Sequence, residues 1–167
     1  MIKTSFLTFE SLIHYGVNSP TTTAPRYVGP LKMPSKDTMS DSPSLECPFC
    51  HPEPQRVLDG NELAIAIADA FPVSQGHTLI ISRRHVADFF DLSGAEVTAV
   101  MELLFRMQRR LAAELVPDGF NVGVNVGPAA GQTVMHVHLH LIPRFLGDVR
   151  EPRGGVRNVI PGKGRYG

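Results

Sequence analysis

Three histidines at alternate positions are the strongest chemical signal in this 167-residue sequence. They are His136, His138 and His140, and they alternate with apolar residues in the segment Met135 to Pro143. Alternate side chains of a β-strand lie on one face, so a strand here would present three imidazoles to a common space. Chance would align three of seven histidines in this way in about one such chain in a hundred. We therefore expect this segment to carry the functional site.

The row of imidazoles favours nucleophilic chemistry over metal-catalysed hydrolysis. A metal hydrolase or a cupin would need a carboxylate or a further histidine nearby, and no acidic residue occurs between Asp118 and Asp148. A nucleophilic histidine needs a partner for its other ring nitrogen, together with flanking donors that stabilise charge on the substrate. The alternating row can supply both. A strand that merely exposes histidines is the alternative interpretation.

Both cysteines of the chain lie in one motif, Cys47-Pro48-Phe49-Cys50. Two cysteines at this spacing are half of a tetrahedral zinc site or a redox pair. They are not the pattern of a small secreted scaffold that several disulfides hold together. We therefore expect a protein of the reducing cytoplasm.

Composition points to one globular domain without affinity for nucleic acid or membranes. Apolar residues make up 43% of the chain and charged residues 19%, which is enough apolar material for a core. Sixteen basic residues balance sixteen acidic ones, so the net charge does not favour binding to an anionic polymer or membrane surface. Any recognition of phosphate must depend on local groups.

The periodicities predict an antiparallel α+β fold. Ser93 followed by Glu96 is a capping-box pattern, and apolar residues then recur at spacings of three and four. Two predicted hairpins and one long crossover favour an antiparallel sheet over a parallel one. The predicted helix covers Ser93 to Leu115, and the predicted strands cover Glu62 to Asp69, His77 to Ser82, Phe120 to Val126 and Met135 to Pro143.

The two ends of the chain differ from its centre. Residues 1–46 contain five prolines and thirteen serines or threonines, which predicts a disordered or loosely packed extension. We hold as a hypothesis that the native chain starts at Met39. Residues 47–146 form the predicted domain, and 147–167 form a glycine-rich tail with five basic residues.

Two segments resemble the histidine triad family. GQTVMHVHLHLIPR, from Gly131 to Arg144, is similar to the dinucleoside polyphosphate hydrolase branch, and GHTLIISRRHVADFFDL, within Phe71 to Leu92, is similar to a second family motif. The resemblance covers about residues 47–144. It implies an antiparallel five-stranded sheet with one main helix and a shorter one, and a homodimer that joins two sheets.

The resemblance also implies a reaction. The enzyme would hydrolyse dinucleoside polyphosphates, such as diadenosine polyphosphates, or nucleoside phosphoramidates, and it would release a nucleoside monophosphate. His138 matches the nucleophile that forms a covalent nucleotidyl-histidine intermediate, and His140 would bind the phosphate oxygens. Gln132 matches a glutamine near the scissile bridging oxygen, and His77 matches a histidine beside the row.

Further residues match binding positions of the family. Asp69 falls where the family binds ribose hydroxyls, and Asn125 matches an asparagine near the phosphates. Zinc-bearing members hold a structural zinc, and no organic cofactor is expected. The matching zinc ligands are Cys47, Cys50, His85 and His136.

Alternatives remain open at this point. A phosphorylase or transferase would pass the nucleotide to phosphate instead of water, and a nucleotide-binding regulatory dimer would turn substrate over only incidentally. The basic tail is expected either to be solvated, to wrap a dimer or to close over the phosphates.

Overall fold

The computed structural model describes residues 47–165 of the chain. The predicted loose extension of residues 1–46 and the hypothetical start at Met39 therefore lie outside the described residues. Within 47–165, one α-helix packs on one face of a five-stranded sheet. None of the helices in this range is long and apolar enough to cross a membrane.

The sheet is antiparallel throughout, with the strand order β1-β2-β3-β5-β4. Four strands overlap those predicted from periodicity, which confirms the antiparallel α+β class. The fifth strand, β1, was not predicted, because its four residues are too few to show an alternating pattern. Its pairing with β2 also contains a register irregularity. The strands are β1 Val57–Gly60, β2 Ala64–Ala68, β3 Thr78–Ser82, β4 Gly119–Val124 and β5 His138–Arg144.

The helix α1 covers Gly94–Leu115 and begins where the capping box predicts. The Ser93 hydroxyl accepts the Glu96 N–H at 3.3 Å, and the Glu96 carboxylate accepts the Ser93 N–H at 2.8 Å. The C-cap residue Val116 adopts the left-handed conformation, and Pro117 follows it. The shorter helix that the resemblance implies is not among residues 47–165, whose other helical segments are single 3₁₀ turns.

Small residues let α1 approach the sheet closely. Ala64 and Ala66 of β2 are fully buried beneath the helix, where larger side chains would hold it away. The helix contributes a stripe of apolar residues to this core, and β3 and β5 supply the opposite layer. The remaining core residues are Ile80, Val86, Val100, Leu103, Leu104, Met107, Leu111, Val137, Leu139 and Leu141.

Arginines of α1 hold the short edge strand β1 in place. Arg106 donates to the Asp59 carboxylate at 2.6 Å and to the Gly60 carbonyl at 2.9 Å, and Arg110 donates to the Leu58 carbonyl at 3.1 Å. These side-chain contacts satisfy an edge that has backbone pairing on one side only. The fifth strand therefore depends on tertiary contacts more than on its own sequence.

The sheet face opposite α1 carries His138 and His140. In the register, His138 pairs with Ile81 of β3, and His140 lies between Leu79 of β3 and Gly123 of β4. Directly paired residues point to the same face, so these positions surround the two histidines. Strand β5 is thus flanked on both sides at the level of the site.

The C-terminal segment returns to the sheet beside β4. Arg144 donates to the Asp148 carboxylate at 2.6 and 2.7 Å where the chain leaves β5. A 3₁₀ turn, Gly155–Val159, then contacts β4. Gly154 has φ +87°, and a Cβ there would lie 2.1 Å from the Gly164 carbonyl oxygen, so the two ends of this segment pack closely. The segment 147–165 is therefore compact.

Candidate functional site

The three histidines of the row have different neighbours. His136 precedes β5 and turns towards the cysteine pair, whereas His138 and His140 lie within β5 on the sheet face. Strand β5 begins at His138, three residues later than predicted, but Val137 packs in the same core cluster as Leu139 and Leu141, as the alternation predicts. That all three imidazoles face one common space stays a prediction.

The first cluster contains Cys47, Cys50, His85 and His136, whose ligand atoms all lie within 4.8 Å of one another. Cys50 Sγ lies 3.1 Å from His85 Nδ1 and 3.6 Å from His136 Nδ1, and Cys47 Sγ lies 3.5 Å from His136 Nδ1. The cysteines come from the turn before β1, and His85 comes from the loop after β3. The fold thus assembles all four residues that the resemblance selected.

These donors fit a tetrahedral zinc ion. Zn–S bonds of ~2.3 Å and Zn–N bonds of ~2.1 Å place sulfur and nitrogen donors about 3.5 Å apart, close to the separations observed. The fully buried His136 is also correctly oriented, since its Nε2 donates to the Ser82 carbonyl at 2.7 Å and its Nδ1 faces the thiols. Burial lowers the pKa of His136, which keeps a lone pair available.

His138 is held in one tautomer by the backbone. Its Nδ1 lies 2.7 Å from the carbonyl oxygen of His136, which can only accept a hydrogen bond. Nδ1 therefore carries the proton and Nε2 carries the lone pair, which is the state a nucleophile requires. The ring of Phe49 packs edge-on against His138 at a centroid distance of 4.9 Å and limits its rotation.

His140 and His77 form a second hydrogen-bonded pair on the same face. His77 Nε2 lies 3.0 Å from His140 Nδ1, and the Val73 N–H donates to His77 Nδ1 at 3.4 Å. The Asp69 carboxylate also lies 3.4 Å from His77 Nδ1. One proton joins His77 Nε2 to His140 Nδ1, which leaves Nε2 as the ring nitrogen of His140 outside this pair.

Both histidines of this pair are neutral near pH 7. Burial lowers the pKa of His77 and of His140, and neighbouring imidazoles lower that of His140 further. Asp69 opposes both shifts, because its carboxylate lies 3.4 Å from His77 Nδ1. A neutral imidazole can bind a phosphate by donating its N–H group to a phosphate oxygen.

Asp69 lies at the end of β2 and adjoins this pair. One carboxylate oxygen accepts the Phe71 N–H at 2.7 Å, and the other is the oxygen near His77. The structure thus places Asp69 beside the catalytic candidates, and its predicted contact with ribose hydroxyls stays a prediction.

Gln132 is bonded to the backbone at both polar ends of its side chain. Its Oε1 accepts the Gly127 N–H at 2.8 Å, and its Nε2 donates to the Ala87 carbonyl at 2.8 Å. With both polar ends bonded to backbone, the buried side chain fastens the loop before β5 to the loop after β3. Its predicted position near the scissile bridging oxygen stays a prediction. Asn125, in contrast, lines the cavity next to His140.

Sequence reasoning did not select two residues that the structure brings to the site. Phe49 contacts both His136 and His138, and its position between the two cysteines was the available signal. Val156 of the C-terminal segment lines the cavity with His77 and His140, and no local pattern indicates this.

A family model for the HIT domain matches residues 52–147 of the chain. A HIT-like protein of Mycoplasma genitalium is 45% identical over 85 residues, which cover 51% of this chain and 60% of the relative. An AP-4-A phosphorylase of Mycobacterium tuberculosis is 30% identical over 116 residues, which cover 69% of this chain and 60% of the relative.

Among solved structures, a zinc-bound histidine triad family protein of Mycobacterium smegmatis superposes with a TM-score of 0.57. It is 35% identical, and the match covers 62% of this chain and 78% of that one. The family match spans more than half of the sequence and contains both histidine clusters except the two cysteines. The chain described here therefore belongs to the histidine triad, or HIT, family.

Proposed function

We propose that this protein is a nucleotidyl hydrolase that acts through a covalent nucleotidyl-histidine intermediate. The observation that carries the proposal is the His138 tautomer, which the His136 carbonyl holds with its lone pair on Nε2. The substrate is a dinucleoside polyphosphate or a nucleoside phosphoramidate. The coarser assignment, an enzyme that acts on nucleotides, agrees with the activity named for the phosphorylase relative.

The first half-reaction transfers the nucleotidyl group to the protein. The lone pair of His138 Nε2 attacks the α-phosphorus, an N–P bond forms, and the bond from phosphorus to the leaving oxygen or nitrogen breaks. A polyphosphate leaves as the anion, whereas a leaving nitrogen takes up one proton from solvent and departs as the amine. His140 Nε2–H donates a hydrogen bond to the phosphate oxygens, and His77 holds the His140 ring in place. Preorganised donors of this kind stabilise negative charge that develops in the transition state.

The second half-reaction returns the enzyme to its starting state. Water attacks the phosphorus of the intermediate, a P–O bond forms, and the N–P bond to His138 breaks. A nucleoside monophosphate leaves, one proton passes to solvent, and Nε2 regains its lone pair. Two displacements at phosphorus predict overall retention of configuration there.

We also propose a structural zinc ion at Cys47, Cys50, His85 and His136. Four protein donors leave no open position, so the ion would supply stability and no Lewis-acid catalysis. The zinc site would also help to position His138. His136 would bind zinc through Nδ1, and its carbonyl oxygen accepts the hydrogen bond that orients His138. Metal binding and the nucleophile tautomer are thus joined in one residue.

The assembly and location of the protein stay proposals as well. We propose a cytoplasmic homodimer in which two five-stranded sheets join. Analytical ultracentrifugation of the full-length protein tests this, and a monomer at micromolar concentration would contradict it.

The nucleophile is tested by replacing His138 with Asn. Turnover of diadenosine tetraphosphate should fall by about 10⁴-fold or more, since the covalent route is removed, while nucleotide binding persists. His51→Asn is the matched control, because His51 is exposed and belongs to neither cluster. Wild-type protein quenched with α-³²P substrate should carry acid-labile label on His138. Near-normal turnover by the variant would refute the mechanism.

A phosphorylase is the second candidate, and the name of the Mycobacterium tuberculosis relative favours it. Both reactions share the same intermediate and differ only in whether water or phosphate attacks it. Product analysis in phosphate buffer distinguishes them, because a phosphorylase releases a nucleoside diphosphate and a hydrolase releases the monophosphate. A hydrolase should give monophosphate at any phosphate concentration.

A further inference from the structure

A cavity of about 280 Å³ adjoins the catalytic face on the β4 side. His140 and His77 form one edge of it, and β4 forms its floor. The floor has no side chain at Gly123, which pairs directly with His140. A Cβ built at Gly123 meets no atom within 4 Å. The absence of a side chain at this position leaves open space next to the histidine that faces the phosphate.

The walls of the cavity are apolar and come from two loops. Val73 belongs to the loop between Asp69 and His77, and Val156 belongs to the compact C-terminal segment. Close packing of Gly154 against Gly164 shapes the segment that carries Val156. The wall is therefore part of a packed structure and not a chance approach of a loose tail.

The cavity has no cationic side chain among its described lining residues. Five basic residues occur in the same C-terminal segment, but none of them borders the cavity. Arg165 instead lies 3.9 Å from Glu151, and Arg157 donates to the Lys163 carbonyl at 3.3 Å. The polar groups at the cavity are the two histidines, Asn121 and Asn125, which are uncharged when the histidines are neutral.

The position of the cavity assigns it to one part of the substrate. In an in-line displacement, the leaving atom departs on the side of phosphorus opposite the attacking nitrogen. His138 does not line the cavity, whereas His140 does. A phosphate held between the two histidines would therefore direct its leaving group towards β4, away from β3.

We infer that this cavity is the leaving-group subsite, that Gly123 and Val156 set its specificity, and that it accepts an uncharged, largely apolar leaving group. The inference rests on the proposed function and names the substrate class within it. A polyphosphate leaving group brings several negative charges to a site without a cation, where desolvation is uncompensated. An amine with an apolar substituent gains contact with Val73 and Val156 and loses no charge solvation.

The experiment compares three substrates that share the adenylyl group. They are adenosine 5′-phosphoramidate, its N-benzyl derivative and diadenosine tetraphosphate, and the readout is kcat/KM for each. Ratios between enzyme forms cancel the intrinsic reactivity of each leaving group. Val156→Lys replaces an apolar wall by a cation at a position exposed enough to accept it. Val159→Lys is the matched control, since Val159 is in the same turn and does not line the cavity.

We expect Val156→Lys to lower the ratio of N-benzyl to parent phosphoramidate about tenfold and to raise the ratio of diadenosine tetraphosphate to parent by at least that factor. Val159→Lys should leave both ratios within twofold of wild type. A second variant, Gly123→Val, fills the floor and should lower the N-benzyl ratio about tenfold. Gly119→Val is its control, as Gly119 is on the same strand with open space around it and outside the cavity.

The outcomes separate the two proposals. Turnover of all three substrates with unchanged ratios in Val156→Lys and Gly123→Val would overturn the leaving-group subsite and leave the hydrolase intact. A folded wild-type protein that turns over none of the three would overturn the proposed function and the subsite with it. A wild-type preference for diadenosine tetraphosphate that Val156→Lys does not increase would also overturn the subsite.

Discussion

Replacement of Glu96 by Gln tests how strongly helix α1 holds the loop that carries a zinc ligand. Glu96 accepts two hydrogen bonds from Arg84, at 2.8 and 2.9 Å, and also caps the helix through the Ser93 N–H. Arg84 immediately precedes His85, so this ion pair anchors the loop of the metal cluster. Gln retains the shape and the capping-box hydrogen bond while it removes the charge.

The expected loss follows from the pKa of Glu96. Hydrogen bonds from Arg84 lower it from 4.5 to about 2, against the opposing effect of burial. At ~1.4 kcal/mol per pKa unit, this shift corresponds to about 3 kcal/mol of stability at neutral pH. The Arg84 side chain is 34% exposed, so solvent screens part of the interaction, and we expect a loss of about 2 kcal/mol. For a domain of this size, that is about 8 °C in Tm.

The assay is urea unfolding of wild type and Glu96→Gln between pH 3 and pH 8. A carboxyl group with a lowered pKa in the folded state contributes its full stability above its unfolded pKa and loses it as the pH falls. The difference between the two proteins should therefore be constant from pH 8 to about pH 5. Below pH 4.5 it should shrink, as wild-type Glu96 becomes protonated on the way to its folded pKa of about 2.

Glu114→Gln on the same helix is the matched control. Glu114 pairs with Arg110 at 2.8 Å, but both side chains are about half exposed, so its removal should cost less than about 0.5 kcal/mol. If Glu96→Gln cost no more than this control, or if its effect were the same at pH 3 and pH 7, the role assigned to the buried ion pair would be wrong.

The remaining predictions concern the metal, a tight turn and the ribose contact. Purified protein should hold about one zinc per chain by atomic emission, and Cys50→Ser should lose metal and Tm together; a metal-free protein of full stability would refute the site. Gly76→Ala should destabilise the fold by about 2 kcal/mol in urea unfolding, since Gly76 has φ +81° and a Cβ would lie 2.5 Å from Leu115; a neutral substitution would contradict this. Asp69→Ala should weaken ribonucleotide binding more than deoxyribonucleotide binding in calorimetry, by ~1 to 3 kcal/mol, and equal losses would count against the ribose contact.

Elements with their own periodicity could be predicted from the sequence. The apolar stripe of α1 and the Ser93 to Glu96 capping box were sufficient to place the helix, because they depend on residues close in the chain. The strand β1 has four residues and no clean alternation. It pairs with β2, and Arg106 and Arg110 of α1 bind its backbone and Asp59; such contacts leave no local pattern.

The same distinction between local patterns and long-range contacts applies to the side chains of the site. The alternation of the histidines showed that they belong together, but the sequence does not indicate that the strand begins only at His138. The place of Gln132 in a motif predicts a position beside the substrate, and this stays a prediction. Its hydrogen bonds to Gly127 and to Ala87 depend on the packing of two loops, one of them 45 residues away.

The sequence by itself determined the fold class, the main helix and the set of residues able to do chemistry. These features follow from composition, from short-range periodicity and from motifs that resemble a family. Only the tertiary structure decided that His136 Nδ1 faces the cysteine pair, which ring nitrogen of His138 is free, and that Val156 borders the cavity. Each of these depends on atoms brought together by strand pairing and loop packing, and local sequence does not encode such distances.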